Sequence, residues 1–177
     1  MQELIILGGP NGAGKTSFAN EYLPSEREDL AFVNADEIAR ELLPSGLTGA
    51  ELEIRAARMM LEEIGQLTVQ RRELMIETTL SSRSYAARIP GWKSLGYSVH
   101  LIYPRLPNVE ASVSRVRTRV AAGGHDIPET TIRRRFVRSL SNLENIYIPI
   151  VDEWYIWDSL EGDFQLAEAW DDGCLNV

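Results

Sequence analysis

Gly9-Pro10-Asn11-Gly12-Ala13-Gly14-Lys15-Thr16 follows the apolar run Leu4-Ile5-Ile6-Leu7 and satisfies the phosphate-loop pattern G-x-x-x-x-G-K-[ST]. Its glycines allow a tight turn in which successive backbone N–H groups aim at one anion. The chain then enters a helical stretch, with Phe18, Ala19, Tyr22 and Leu23 on one side, whose positive N-terminal end faces the same anion. Lys15 has the reach for β- and γ-phosphates, and the Thr16 hydroxyl suits Mg²⁺. A β-like run before the loop and a helix after it are the context the motif requires. The stretch therefore predicts a nucleoside-triphosphate site built from Gly9, Pro10, Asn11, Gly12, Ala13, Gly14, Lys15, Thr16 and Ser17, rather than a ligand-free glycine turn.

The 177 residues suit one domain over 1–177 with a real core. No apolar run approaches the roughly 18–20 residues that span a bilayer, and no basic, signal-like N-terminus is seen, so no membrane association is expected. The lone cysteine, Cys174, excludes an internal disulfide framework, and the expected compartment is cytoplasmic. A net charge of −8 argues against nucleic acid as a partner, which needs a basic face. Positive charge is nonetheless concentrated. Lysine occurs only at Lys15 and Lys93, and seven of the sixteen arginines (Arg115, Arg117, Arg119, Arg133, Arg134, Arg135, Arg138) fall within 24 residues. The guanidinium fork suits phosphate oxygens.

Strand-like and helix-like stretches alternate. Ala31-Phe32-Val33 reads as a strand ending at Asn34-Ala35-Asp36, after a polar turn over 24–29. A helix with Ile38, Ala39, Leu42 and Leu43 inside is broken by Pro44-Ser45-Gly46. Thr48 and Glu51 form a capping box for a helix burying Leu52, Ala56, Met59, Met60, Ile64 and Leu67, with Glu51–Arg55 and Arg58–Glu62 paired on its wet side. Leu74-Met75-Ile76 is a strand delivering Glu77-Thr78-Thr79. A short helix interrupted by Pro90-Gly91 precedes a strand over Tyr97–Tyr103. Helices from Asn108 to about Ala122 and from Pro128 to about Leu143 flank the loop at 123–127, and Trp154–Trp157 and Phe164–Ala167 are strands joined through Gly162. This order predicts an α/β fold of P-loop NTPase type: a mostly parallel sheet of five to six strands flanked by helices, with an antiparallel edge. Ligands of such sheets bind at strand C-terminal ends, where Asp36, Glu77 and Tyr103 fall.

Asp36 has two readings. It is placed to orient or deprotonate an attacking hydroxyl, and as Asp before a helix it is also a natural N-cap. The strand before it is expected to neighbour the strand before the loop. Glu77 could bind an acceptor, sit behind a Mg²⁺ ligand, or be an ordinary strand-end acid; no second Mg²⁺ carboxylate is evident. In the second arginine-bearing helix, Ile132, Phe136 and Leu140 form the inner stripe, Arg133 lies close to it, Arg135 flanks it, and Arg134 and Arg138 point away. The helix pair over about 115–138 reads as an Arg-rich lid, two or three of whose arginines would touch phosphate. His125 is read as stabilising its turn, His100 as a satisfied core residue, and the tryptophans as core and edge packing.

Together these segments resemble the zeta-toxin-like P-loop kinases. The resemblance rests on the phosphate loop, Asn34-Ala35-Asp36, Glu77-Thr78-Thr79, the run Arg119-Val120-Ala121-Ala122-Gly123-Gly124-His125-Asp126-Ile127-Pro128 followed by Arg134-Arg135, and Asp158-Ser159. It implies a nucleoside-kinase-like fold in which ATP phosphorylates a hydroxyl, with Mg²⁺ as metal. It assigns Asp36 as catalytic base, alongside Lys15 and Arg119, and Glu77 and Thr79 as acceptor ligands. Arg119 and Arg134 or Arg135 would hold the ATP phosphates. Well-known members phosphorylate UDP-N-acetylglucosamine and are held by a small antitoxin. This chain is compact and shows no segment matching their sugar-nucleotide pocket, so the acceptor is expected only to be a small polar molecule.

The competing readings are a regulatory ATP-binding or hydrolysing protein with no acceptor, and a nucleic-acid 5′-hydroxyl kinase, which the acidic balance and the lack of a basic strand-tracking face disfavour. A guanine-specific switch needs Asn-Lys-x-Asp, which lysines at 15 and 93 alone cannot supply.

Overall fold

A computed structural model describes residues 2–22, 29–161 and 163–170. Leu23, most of the turn over 24–29, Gly162 and Cys174 lie outside the described residues. The elements run β1 (Gln2–Gly8), α1 (Lys15–Tyr22), β2 (Ala31–Asn34), α2 (Ala35–Leu42), α3 (Gly49–Val69), β3 (Leu74–Thr78), α4 (Ile89–Ser94), β4 (Tyr97–Arg105), α5 (Val109–Ala121), α6 (Glu129–Asn142), β5 (Glu153–Leu160) and β6 (Asp163–Ala169). Six strands form one sheet in the order β2-β3-β1-β4-β5-β6. All neighbours are parallel except β5 and β6, so the expected antiparallel edge is present.

The strand order corrects one expectation. β2 does not neighbour β1, because β3 lies between them, pairing Leu7 with Glu77 and Asn34 with Glu77. A parallel crossover can skip a position, and β1 is buried on both faces. Leu4 and Ile6 face one core with Val33, Ile64, Ile76 and Leu101, and Ile5 and Leu7 face the other with Phe18, Ala19 and Met75. The expected stripe of α3 is buried at Ala56, Met60, Ile64 and Leu67.

Local details differ where tertiary contacts decide. Thr48 is the N-cap of α3, but its side chain makes no capping bond, and neither Glu51–Arg55 nor Arg58–Glu62 pairs among the described residues; Glu53 instead meets Arg135 at 3.7 Å. Pro90 opens α4 rather than interrupting it, since proline's missing N–H costs nothing in a first turn. His100 is half-buried and satisfied by Ser98 Oγ at 2.8 Å. Trp92 is core, Trp157 packs edge-on to Phe18 with centroids 5.3 Å apart, and Trp170 is exposed.

Helices α5 and α6 form an arch over the phosphate loop. Val113 and Val116 of α5 pack on Ile132 of α6, and Phe136 of α6 packs on Ala13 in the loop itself. Tyr103 is a correction: it does not reach the ligand end. It is fully buried and shares a 2.8 Å hydrogen bond with Ser139 of α6, and burial pushes its phenol well above the usual range. It ties β4 to the arch.

Candidate functional site

The loop leaves β1 and re-enters as α1 within a space that only glycine fits at two points. At Gly9 (φ 150°) a Cβ would stand 2.8 Å from the Pro104 carbonyl, and at Gly12 (φ 78°) it would stand 3.0 Å from Arg115 Cβ and 3.1 Å from the Ser112 carbonyl. The loop is thus pressed against β4 and α5, and the Ser112 hydroxyl donates to the Asn11 carbonyl at 2.5 Å. Ala13 N–H bonds the Pro10 carbonyl at 3.2 Å, and the first helical bond of α1 runs from Phe18 N–H to the Gly14 carbonyl at 2.8 Å. The N–H groups of Lys15, Thr16 and Ser17 are therefore left at the open end of the helix, where an anion is favoured. Asn11 Oδ1 is buried with no hydrogen-bond partner, an acceptor left for something the loop does not itself contain. These features fit a polyphosphate.

Beneath the loop lies a buried charge pair. Lys15 Nζ donates to the carbonyls of Gly9 (3.1 Å) and Pro10 (3.2 Å) and lies 4.0 Å from Glu77 Oε1. Glu77 Oε2 accepts from the Thr16 hydroxyl at 2.9 Å and from Asn34 Nδ2 at 3.0 Å. Burial lowers the Lys15 pKa, opposed by Glu77 and Asp36, and raises that of Glu77, opposed by Lys15 and the Thr16 hydroxyl. The Thr16 hydroxyl and, behind it, the Glu77 carboxylate are hard oxygen donors of the kind that would hold Mg²⁺. No group of three or more His, Cys, Asp or Glu side chains able to hold a metal occurs among the described residues.

The raised Glu77 pKa makes a stability prediction. The folded chain holds this proton more tightly than the unfolded chain, so stability falls as pH rises through the window above the ordinary Glu value of 4.5. Glu77→Gln keeps an oxygen for Thr16 and Asn34 but carries no charge. Its melting temperature, measured from pH 4 to 8, should fall less with rising pH than that of the parent chain; identical slopes would show that Glu77 is not buried as described.

Asp36 enters the site by an indirect route. Asn34, 6% exposed, caps α2 by accepting the Asp36 N–H at 2.8 Å, so Asp36 is not the cap. Its side chain is exposed in the first turn of α2, and its charge acts on both Lys15 and Glu77. Asn34 thus joins both acids, through its Oδ1 to the backbone of Asp36 and through its Nδ2 to Glu77. In the sequence Asn34 reads only as part of a turn, although a strand-end Asn directly before a helix is a capping signal. Asn34→Ala should cost about 1 kcal/mol for the cap and lower the melting temperature by about 2–4 °C, with activity falling further than that loss of stability explains. An unchanged melting curve would show that the cap carries no stability.

The arginines divide by partner. Arg133 is held by Glu110 (2.9 Å) and Glu129 (2.8 Å), and Arg117 by Glu129 (2.7 Å), so these three-way contacts fasten α5 to α6. Arg115 donates to Ser159 Oγ at 2.6 Å and to the Ser159 carbonyl at 3.0 Å. Arg119 donates to the His125 carbonyl at 3.0 Å, so the turn is held through the backbone of His125 while its side chain is exposed. Arg119 and Arg135 each lower the Lys15 pKa by like charge, against the larger effect of burial, and Arg134 is exposed. Of Arg134 and Arg135, it is Arg135 whose charge reaches Lys15, while it also pairs with Glu53 at 3.7 Å. Thr79 is half-buried and shares a 2.9 Å hydrogen bond with Ser81, not with Glu77. A cleft of about 430 Å³ beside α5, lined in part by Arg105, Arg115, Asp158 and Ser159, adjoins the loop.

The family profile described as Zeta toxin matches residues 2–152. A Haemophilus influenzae protein described only as uncharacterized is 30% identical over 134 residues, which cover 75% of this chain and 91% of that one. Among solved structures, a chain of the AvrRxo1-ORF1:AvrRxo1-ORF2 complex with sulphate ions superposes with a TM-score of 0.78 at 18% identity, covering 96% of this chain but only 58% of the other. A chain from the PezAT chromosomal toxin–antitoxin system of Streptococcus pneumoniae superposes at 0.66 with 21% identity, covering 96% and 72%. No described helix is long and apolar enough to cross a membrane. With the family profile spanning most of its length over the loop, the Asn34-Glu77 row and the arginine arch, the chain belongs to the Zeta toxin family.

Proposed function

We propose that this protein transfers the γ-phosphoryl group of ATP to a hydroxyl of a small polar acceptor. Its family and fold are those of ATP-dependent, kinase-type phosphotransferases; the acceptor and the roles of individual residues are our reading. The observation that carries it is the row Leu7–Glu77–Asn34 across three parallel strands. That row puts the phosphate loop, the buried Lys15–Glu77 pair and Asp36 at one end of the sheet. The loop amides and Lys15 hold the phosphates, Arg119 and Arg135 add charge over them, and Asp36 takes the proton of the attacking hydroxyl. The acceptor oxygen bonds to the γ-phosphorus, the bond to the β,γ-bridging oxygen breaks, and ADP leaves with that electron pair. Mg²⁺, held through Thr16 with Glu77 behind it, would neutralise charge on the β- and γ-oxygens. Glu77 and Thr79 would also line the acceptor side.

The helices over 115–138 would act as the lid, closing the phosphates off from water. UDP-N-acetylglucosamine is a candidate acceptor, and the likeness to a chain of the PezAT toxin–antitoxin system supports looking for a small antitoxin partner. The test is ADP production by the purified protein against nucleotides, sugar nucleotides and small polyols. Stimulation by one class of acceptor is the expected result. Hydrolysis indifferent to every acceptor would favour a regulatory ATPase.

A further inference from the structure

The loop that follows β3 is clamped in a shape its sequence does not favour. Leu80 has φ 57°, the left-handed region that non-glycine residues avoid. Its N–H bonds the Thr78 hydroxyl at 3.2 Å, its carbonyl accepts from Asn142 Nδ2 at 2.9 Å, and the Ser82 carbonyl accepts from the Tyr147 hydroxyl at 2.8 Å. The Leu80 side chain is fully buried against Gly8. α6 and the turn after it thus hold this loop in one conformation, which presents Ser81 and Arg83 to a cleft of about 580 Å³ whose other wall is Val137, Arg138, Ser141 and Asn142 of α6.

Two guanidiniums face this cleft from opposite walls. Most arginines of the α5–α6 arch bond an acid, a hydroxyl or a carbonyl, whereas the guanidiniums of Arg83 and Arg138 make no ion pair or hydrogen bond among the described residues. No acidic side chain lines the cleft. In a chain of net charge −8, two guanidiniums on facing walls with no acid beside them make a local positive patch that draws an anion. Two serine hydroxyls beside them add neutral donors.

The position fits the second substrate rather than ATP. Ser81 lies four residues beyond Glu77 along the chain, and Arg138 lies three beyond Arg135, about 4.5 Å farther along α6. The cleft therefore lies beside the segment that follows β3, whose Leu80 packs against Gly8 at the start of the loop.

We propose that this cleft binds an anionic group of the acceptor, a phosphate or a carboxylate, and that Arg83 and Arg138 select acceptors bearing one. The proposal rests on the kinase reading for its substrate but names a site of its own. It is tested by calorimetric titration with the loop saturated by the non-hydrolysable analogue AMP-PNP, so that anions cannot enter there. The probes are UDP-N-acetylglucosamine, glucose 6-phosphate and gluconate against the neutral N-acetylglucosamine and glucose. At least one anionic probe should bind while its neutral counterpart does not, and Arg83→Ala or Arg138→Ala should weaken that binding about 10- to 100-fold, with lysine at either position restoring part of it and AMP-PNP affinity unchanged. Selectivity between phosphate and carboxylate probes would name the source of the charge. Equal binding of neutral and anionic probes, no binding of any anion, or anion binding indifferent to both substitutions would each overturn the proposal. Failure of AMP-PNP to bind would instead count against the kinase reading; the anion titration repeated on nucleotide-free Lys15→Ala protein would then still decide the cleft.

Discussion

Asp36→Asn should lower acceptor phosphorylation by about 10²–10⁴-fold while ATP affinity and melting temperature stay where they are. The amide matches the carboxylate in size but cannot accept the proton of an attacking hydroxyl. Stability is spared because the cap of α2 is Asn34, and the exposed Asp36 side chain makes no hydrogen bond or ion pair of its own among the described residues. Nucleotide titration, thermal melting and product formation on the same preparation separate the two roles the sequence leaves open for this residue. Parallel losses of stability and activity would mean that Asp36 serves the helix and not the reaction.

Lys15→Ala should have a different effect, lowering both turnover and ATP affinity. Lys15 is 8% exposed, held by two loop carbonyls and 4.0 Å from Glu77. Its ammonium is the positive charge nearest the expected phosphates, and removing such a preorganised donor costs on the order of 10²–10³ in kcat, with loss of ATP affinity added. Glu77 then loses its buried counter-charge, so its pKa rises further above the ordinary range. Its proton therefore persists to higher pH than in the parent chain. Direct ATP binding and turnover check this, and retained activity would remove the phosphate-loop assignment altogether.

Much of this was legible in the sequence because the signals are local. The phosphate loop carries its own context in Leu4–Leu7 and Phe18, the α3 stripe follows a helical period, and Gly9 and Gly12 stand where no Cβ would fit. The strand order was not legible. Nothing within Ala31–Asn34 says that β3 will come between it and β1, because parallel pairing is set by crossovers rather than by residues within the strand. Asp36 looked like a cap because Asp is a good one; the structure gives that bond to Asn34, two residues earlier. Tyr103 stands two residues before the end of β4, and Pro104 gives no sign in the sequence that the strand runs on to Arg105. The arginine cluster was visible as a cluster, but Arg133 and Arg117 are occupied by Glu110 and Glu129, contacts that appear only once α5 and α6 fold together. Arg83 and Arg138, 55 positions apart, could not have been paired by any local rule.

The most direct test of the central claim follows the fate of the phosphoryl group itself. ATP labelled in its γ-phosphate is incubated with the protein, Mg²⁺ and the acceptor that most stimulates ADP production, and the label is partitioned between the organic product and inorganic phosphate. The account predicts label on the acceptor, as a mass gain of one phosphoryl group, falling with Asp36→Asn and absent with Lys15→Ala. Label found only in inorganic phosphate, at the same rate with and without acceptor and unchanged by Asp36→Asn, would contradict it.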